Sequence, residues 1–251
     1  MNLLPFFDPD RPEHQKNTDI GPHLHLPPAP FQDSVQLIAN IMCDKAYREL
    51  ICSLNQTQYE FFTHIMQVAS QKEKQELCFL HGGAGTGKSH VLKALYQGLH
   101  RICCTEAGQS REMYKILIMA PTGKAAYNVK GSTIHAAFHI PANQSLQDYK
   151  PLTFDILNTL RVKYKDVEWI LCDEISMVSN QLWKYVYLRL QQIKQNNEPF
   201  GGVNIIAIGD MYQLQPVLGH YVFMDLKGNY GPLATNLWCE YFTMFELHEI
   251  M

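Results

Sequence analysis

The chain has 251 residues, 46% of them hydrophobic, which is enough to bury one large core without help from disulfides. Its 21 basic and 24 acidic side chains leave a formal net charge of -3, so any contact with a polyanion must be local. The seven cysteines include no C-x-x-C pair, and no apolar run approaches the roughly 20 residues of a membrane span. These features predict an intracellular globular protein with no membrane segment.

Residues 1–33 are predicted to form an extended arm. Seven of the 13 prolines lie in residues 1–30, and proline removes a backbone donor and restricts φ. His23 and His25 flank a leucine in this arm and could bind a metal ion. Because no cysteine or carboxylate cluster accompanies them, we interpret them as part of a solvated linker.

Two helices are predicted next, at the start of a domain that extends over residues 34–251. Between Ser34 and Ser53 the apolar residues recur with helical spacing. Asn55 then has the character of a helix cap. The helix that it begins would carry four apolar side chains: Phe61, Phe62, Ile65 and Met66.

The pattern then changes to short apolar runs separated by helix-like stretches. The runs are LCFL at 77–80, ILIM at 116–119, WILC at 169–172 and VNIIAI at 203–208. Nearly continuous apolar runs of this length are typical of parallel strands buried on both faces. The sequence therefore predicts an α/β fold with a mainly parallel sheet flanked by helices.

A glycine-rich loop follows the LCFL run and precedes a helical run from His90 to Leu99. It matches the pattern G-x-x-x-x-G-K-S, in which backbone N–H groups surround phosphates, the lysine contacts the β- and γ-phosphates and the serine hydroxyl binds Mg²⁺. The predicted ligands are therefore ATP and Mg²⁺, and Lys88 is also a candidate catalytic residue. The predicted nucleotide-binding residues of the loop are Gly82, Gly83, Ala84, Gly85, Thr86, Gly87, Lys88 and Ser89.

A pair of carboxylates, Asp173 and Glu174, ends the WILC run. This is the carboxyl end of a predicted strand, where open α/β sheets bind ligands. Asp173 is predicted to hold magnesium together with Ser89, and Glu174 to orient or deprotonate the attacking water. The chain contains no N-K-x-D, T-K-x-D or L-S-G-G-Q motif, which disfavours a GTPase and a transporter ATPase.

Four further segments resemble the motifs of one helicase family. Leu54, Asn55 and Gln58 resemble its Q element, and APTGKAAYNVKGSTIH at 120–135 resembles its Ia region. DEISMV at 173–178 and GDMYQLQPV at 209–217 resemble its motifs II and III. From Leu54 to the last residue the chain is similar to the Pif-one family of DNA helicases, relatives of RecD, and especially to the versions found beside rolling-circle transposons.

The resemblance implies a RecA-like P-loop motor domain and assigns roles to its residues. Gln58 would recognise adenine, and Gln213 would sense the γ-phosphate. The backbone of single-stranded DNA would be contacted by Thr122, Gly123, Thr133 and His135. The implied reaction is ATP-driven 5′ to 3′ DNA unwinding in repair, recombination, telomere maintenance or transposition, and the implied location is the nucleus. Gln215 stands where most relatives are expected to have proline.

Two aromatic residues of the Ia region have alternative interpretations. His135 could be a core histidine on a short helix instead of a DNA contact. Phe138 could stack on a base or fill the core, and we favour the core. A strand end followed by small hydroxyl and glycine residues does expose donors that suit phosphate oxygens.

The resemblance also implies a second motor domain with an arginine finger, which we do not expect within these 251 residues. We therefore expect the 251-residue chain to bind Mg-ATP, to hydrolyse it slowly and not to unwind DNA alone. Two other functions stay open. One is a nucleotide-dependent module that binds single strands or a protein without useful catalysis. The other is a metabolic kinase, which would leave Gln213, Thr122 and Gly123 without a role.

Overall fold

The computed structural model describes residues 41–72, 74–103, 115–141, 146, 148–217, 219–226 and 236–251. The α-helices in these residues are α1 (Asp44–Cys52), α2 (Gln56–Gln71), α3 (Lys88–Cys103), α4 (Gly123–Asn128), α5 (Ile134–Ala137), α6 (Phe154–Tyr164), α7 (Asn180–Lys194) and α8 (Leu237–Tyr241). The strands are β1 (Leu77–Gly82), β2 (Ile116–Ala120), β3 (Ser132–Thr133), β4 (Trp169–Cys172), β5 (Asn204–Gly209) and β6 (Thr243–Leu247). Two 3₁₀ turns cover Ile175–Met177 and Pro199–Gly202. The predicted arm at 1–33, with His23 and His25, lies outside the described residues.

The six strands form one parallel sheet in the order β3-β2-β4-β5-β1-β6. The four apolar runs of the sequence occupy β1, β2, β4 and β5, with bounds that differ from the predicted ones by no more than two residues. Because all strands run in the same direction, their carboxyl ends meet at one edge of the sheet. The predicted α/β architecture is confirmed.

Both faces of the sheet are covered, which is why the strand sequences are continuously apolar. Alternate residues of β1 belong to different cores: Leu77 and Phe79 pack in one, and Cys78 and Leu80 in the other. The first core also contains residues of α5–α8, such as Leu160, Trp183 and Trp238. The second contains residues of α1–α3, such as Ile65 and Leu95. In the described part of the chain, no helix combines the length and apolar character needed to cross a membrane.

The first predicted helix is shorter than its sequence pattern indicates. The pattern covers 34–53, but residues 41–43 are not helical and α1 begins at Asp44, while 34–40 lie outside the described residues. The reason is tertiary. The backbone N–H of Met42 donates to Gln97 Oε1 at 2.9 Å, and its carbonyl accepts from Arg101 Nη2 at 2.6 Å. Side chains of α3 therefore satisfy the groups that a longer helix would have paired internally.

Candidate functional site

The glycine-rich loop at 82–89, called the phosphate-type loop below, lies at the carboxyl end of β1 and leads directly into α3. Gly87 has φ 77°, a conformation that suits glycine, and its carbonyl accepts from the N–H groups of His90 and Val91 at the start of the helix. The Thr86 hydroxyl donates to Gly83 O at 2.9 Å. An added Cβ at Gly82 would lie 2.5 Å from Thr86 Oγ1 and 3.2 Å from Leu247 Cβ, so a larger residue there would displace these side chains. The loop is therefore a compact turn that leads into a helix of 16 residues, and the N-terminus of a helix favours anions.

Lys88 folds back across this loop. Its ammonium donates to Gly82 O at 2.7 Å and to Gly83 O at 2.9 Å. Ser89, next in the chain, is exposed at the first turn of α3, and Ala84 and Gly85 are exposed in the loop. An incoming phosphate would compete with the two carbonyls for the ammonium, because an anion is a stronger acceptor than a neutral carbonyl.

Asp173 and Glu174 follow β4, which β5 separates from β1. Asp173 is 7% exposed, and its N–H donates to Met119 O at 2.9 Å. Burial, and then the neighbouring Glu174 carboxylate, raise the pKa of Asp173 to about 6, while the Lys88 ammonium acts to lower it. The phosphate-type loop and the carboxylate pair therefore lie within electrostatic reach of each other, as the sequence predicted.

Glu174 occupies the left-handed region, with φ 52° and ψ 44°. A non-glycine residue there costs about 1–3 kcal/mol, and such strain is concentrated at functional sites. The following turn is packed tightly on β5: an added Cβ at Gly209 would lie 2.9 Å from Ile175 Cγ2 and 3.1 Å from Ile175 N. This close approach fixes the Glu174 backbone next to the end of β5.

Motif III forms the turn after β5. The carboxylate of Asp210, which is buried, accepts from Tyr212 N at 3.0 Å, and its carbonyl accepts from Gln213 N at 3.0 Å. The Gln213 side chain is exposed at the same sheet edge, and Gln215 is exposed in irregular backbone. Because β5 lies between β4 and β1, this turn lies between the carboxylate pair and the phosphate-type loop.

The predicted DNA-contacting residues lie farther along the same edge, after β2 and β3. Thr122 caps α4 by accepting from Ala125 N at 3.2 Å, and Thr133 caps α5 by accepting from Ala136 N at 3.2 Å. Each hydroxyl therefore keeps its O–H available for donation. Gly123 is exposed. The edge thus presents polar donors beside the carboxylate pair, on the side opposite β1.

His135 and Phe138 take different places in the fold. His135 is partly exposed, which contradicts the core interpretation, and burial lowers its pKa, so the ring is neutral at pH 7. Phe138 is 0% exposed and packs in the first core. The preference for Phe138 as a core residue is confirmed.

The residues at the edge fit a magnesium ion held partly by phosphate. Among the described residues no group of three or more histidines, cysteines and carboxylates could hold a metal. Mg²⁺ commonly takes only one or two protein ligands and completes its shell with phosphate and water. The exposed Ser89 hydroxyl and the Asp173 carboxylate are a donor set of that kind. Burial disfavours the negative charge of Asp173, and a bound cation would stabilise that charge.

A family model described as PIF1-like helicase matches residues 53–251. The chain belongs to the PIF1-like helicase family. The match begins just before α2 and includes the phosphate-type loop, the carboxylate pair and motif III. The family recognised from the sequence motifs is confirmed.

Relatives of this PIF1-like chain are longer than the chain itself. The ATP-dependent DNA helicase RRM3 of Saccharomyces cerevisiae is 31% identical over 145 residues, which are 58% of this chain and 19% of the yeast protein. The ATP-dependent DNA helicase Pif1 of Bdellovibrio bacteriovorus is 33% identical over 144 residues, which are 57% of this chain and 30% of that protein. The chain spans less than a third of either relative.

A solved structure of the family has the same fold. The Pif1 helicase from Bacteroides, crystallised in complex with ADP-AlF3 and ssDNA, matches with a TM-score of 0.57 and 27% identity. The match covers 78% of this chain and 43% of the Bacteroides chain. The predicted RecA-like fold is confirmed.

Gln58 of this PIF1-like chain is in a place that the sequence did not indicate. It is 0% exposed, its Oε1 accepts from Asn55 N at 3.0 Å, and its Nε2 donates to Thr86 O at 2.9 Å. Both ends of the amide are therefore engaged within the protein. The adenine contact stays a prediction. The structure adds a second role, because the hydrogen bond from Gln58 to Thr86 O holds the phosphate-type loop in place.

Two residues beside the loop were not predicted as part of the site. His81 is 5% exposed, its ring lies 5.6 Å from that of Tyr212, and its Nδ1 makes no hydrogen bond with the described residues. The backbone N–H of Met251 donates to Gly85 O at 2.9 Å, and its side chain lies against Gly87. A histidine at the end of an apolar buried strand is a signal that could have identified His81. No local pattern marks Met251.

Proposed function

We propose that this chain is the ATP-driven motor domain of a DNA helicase. The observation that carries the proposal is the convergence, at one sheet edge, of the phosphate-type loop, the Asp173–Glu174 pair and the motif III turn. Membership of the PIF1-like helicase family supports the same reaction. The ligands would be ATP, Mg²⁺ and single-stranded DNA, and the reaction would be nucleotide hydrolysis coupled to movement along the strand.

Within this proposal each residue of the edge has a chemical role. Lys88 and the loop N–H groups would neutralise and orient the triphosphate, and Gln58 would contact adenine. Ser89 and Asp173 would hold Mg²⁺, which would supply positive charge to offset the negative charge of the phosphates. Glu174 would hold the attacking water and accept its proton. Gln213, between them, would respond to the loss of the γ-phosphate.

The single strand would lie over the ends of β2 and β3. Thr122 and Thr133 would donate their hydroxyl hydrogens to phosphate oxygens, and the Gly123 N–H would reach the backbone without obstruction by a side chain. His135 would act as a neutral hydrogen-bonding group, because burial lowers its pKa. These contacts are to the sugar-phosphate backbone and would not depend on base sequence.

The reaction of the complete protein is also a proposal. By analogy with the family it would be 5′ to 3′ unwinding in the nucleus, in DNA repair, recombination, telomere maintenance or transposition. A second motor domain would supply the arginine that completes the nucleotide site.

Steady-state ATP hydrolysis with and without single-stranded DNA tests the proposal. We expect turnover that DNA stimulates, that declines as salt concentration rises, and that disappears in Lys88→Ala. Lys45→Ala, an exposed lysine on α1, is the matched control and should retain turnover. Measurable ATP binding with no turnover at any DNA concentration would contradict the motor and support a nucleotide-dependent binding module.

A further inference from the structure

A second concave site lies at the edge of the sheet opposite the nucleotide edge. The amino ends of β4 and β5 border a cleft of about 530 Å³, which also involves the end of α2 and the loops that follow α6 and α7. Among the described residues, four lysines line it, Lys72, Lys74, Lys165 and Lys194, together with one acidic residue, Glu168. We call this site the basic cleft. It concentrates positive charge in a chain whose net charge is -3.

The walls of the basic cleft are joined by hydrogen bonds from Lys194 and Gln75. The Lys194 ammonium donates to Tyr164 O, Lys165 O and Val167 O at 3.0, 3.0 and 2.8 Å, which uses all three of its hydrogens. Gln75 Nε2 donates to Pro199 O at 2.7 Å and to Val203 O at 2.8 Å. The loops that form the cleft are therefore held in place before any ligand arrives, so little ordering entropy would be lost on binding.

Three ammonium groups at the cleft are available to a ligand. Lys72 and Lys74 are exposed, and within the described residues their side chains make no hydrogen bond or ion pair. The Lys165 side chain is 70% exposed, and in the described chain its one ion pair is with Asp166, at 3.8 Å. Within the described residues the charges of Lys72 and Lys74 are therefore unpaired, and Asp166 offsets part of the charge of Lys165.

The acidic residue of the cleft does not cancel this charge. Glu168 pairs with Lys115 at 3.0 Å, and the Lys115 side chain is only 6% exposed. Lys115 therefore offsets the charge of Glu168, and the four lysines of the cleft outnumber its acidic residues in the described chain. Lys194 adds a further positive charge from the floor, although it has no free donor.

The shape of the floor indicates which kind of anion would bind. The apolar residues beneath the lysines are buried, with Val167, Trp169 and Val203 each no more than 3% exposed. An acidic peptide would normally need an apolar socket for an anchoring side chain, and the cleft offers none. Flexible point charges around a cleft whose apolar side chains are buried instead suit a ligand that presents phosphates without apolar anchors.

We propose that the basic cleft binds the phosphate backbone of nucleic acid as a second site. The choice of nucleic acid rests on the proposed function, whereas the polyanion site rests on the cleft itself. The six-residue strand β1 separates the two edges by roughly 20 Å, at about 3.3 Å per residue. The cleft would therefore hold a different stretch of nucleic acid from the one that contacts Thr122 and Gly123, and it would do so without base specificity.

Lysine acetylation of the chain tests the site directly. The protein would be acetylated with and without a short oligo(dT) strand, or a duplex of equal length, and the modified lysines measured by mass spectrometry. We expect nucleic acid to slow acetylation of Lys72, Lys74 and Lys165 and to leave Lys45 unchanged. Equal rates at the three lysines with either nucleic acid would overturn the proposal. Protection by an acidic peptide but by neither nucleic acid would also overturn it.

A variant with three substitutions, Lys72→Gln, Lys74→Gln and Lys165→Gln, gives a quantitative test. Because three ammonium groups that would face phosphates are removed, the slope of log affinity against log salt concentration should fall by about 2 to 3. The matched control, Lys45→Gln with Arg48→Gln and Lys150→Gln, removes the same charge from exposed positions outside the cleft. An equal decrease in both variants would show a general charge effect and contradict the site.

The two proposals fail in different ways. Absence of DNA-stimulated ATP hydrolysis would contradict the motor function. Acetylation of the cleft lysines would still show whether the basic cleft binds nucleic acid, because that measurement does not depend on hydrolysis. Unchanged acetylation with normal DNA-stimulated turnover would contradict only the basic cleft.

Discussion

At the scale of single residues, the carboxylate pair combines backbone strain with an unfavourable buried charge. Glu174 is held in the left-handed region beside the end of β5, and burial raises the pKa of its neighbour Asp173. Both features oppose folding and have no structural benefit in the described contacts. Their cost is understandable if the two carboxylates serve a bound cation and a water.

Glu174→Gln should separate binding from hydrolysis. Glutamine has the same shape and can keep the backbone conformation, but it cannot accept a proton from water. We expect unchanged Mg-ATP affinity and a decrease in hydrolysis of about 10²- to 10⁴-fold, the usual contribution of a general base. Single-turnover hydrolysis and equilibrium binding would be measured, with exposed Glu240→Gln as the control. Loss of binding with the rate at saturation unchanged would show that Glu174 has a different role.

Asp173→Asn should stabilise the protein when neither nucleotide nor magnesium is present. A carboxyl group with a higher pKa in the folded state, about 6 against 3.8, binds more protons when folded, so it lowers stability as pH rises between these values. Above pH 6 we expect the variant to gain up to about 3 kcal/mol in the free energy of unfolding. The gain should shrink as pH falls toward 4. Urea denaturation at several pH values measures it, and a gain that is independent of pH would exclude this cause.

At the scale of elements, the start of α2 is coupled to the phosphate-type loop. Asn55 and Gln58 form a reciprocal capping box, because the Asn55 side chain accepts from Gln58 N while the Gln58 side chain accepts from Asn55 N. The same Gln58 side chain donates to Thr86 O. One residue therefore both begins a helix and positions the loop, and a change in either would be transmitted to the other.

Gln58→Ala should weaken both the fold and the loop. Loss of the cap and of a buried hydrogen bond should lower the free energy of unfolding by about 1–3 kcal/mol. We expect affinity for inorganic tripolyphosphate to fall, because the contact of Gln58 with Thr86 O supports the phosphate subsite, and affinity for ATP to fall further, because the proposed adenine contact would also be lost. Gln56→Ala, an exposed residue of the same helical turn, is the control. A loss confined to ATP would instead favour the adenine contact over the support of the loop.

At the scale of the whole molecule, the parallel sheet separates two chemical environments. Its carboxyl edge holds the nucleotide and motif residues, and its amino edge holds the basic cleft. The cores on the two faces keep these edges at a fixed distance from each other. A ligand that binds only the folded sheet should therefore stabilise the entire domain.

Mg-ADP should raise the thermal stability of the complete chain. At a concentration about 100 times its Kd, a ligand specific for the folded state adds about 2.7 kcal/mol. For a protein of this size that corresponds to an increase in Tm of about 5–10 °C. Differential scanning fluorimetry would measure the shift, which should vanish in Lys88→Ala and persist in Lys93→Ala. An equal shift in both variants would mean that the nucleotide binds elsewhere.

The sequence by itself determined the features that depend on neighbouring residues. The buried strands, the Asn55 cap, the phosphate-type loop and the motif residues after β4 and β5 are all encoded in short windows. Even the convergence of the site was predictable, because parallel strands place their carboxyl ends at one edge. Core placement of Phe138 followed from its apolar character.

Only the tertiary structure decided the features that join distant parts of the chain. Gln97 and Arg101 of α3 replace the helical hydrogen bonds of residue 42, so α1 begins later than its periodicity indicates. Gln58 is engaged by a loop 28 residues away, and Gln75 closes the basic cleft by reaching a carbonyl 128 residues away. The energies of such contacts depend on which surfaces the packed cores bring together, and no local sequence pattern contains that information.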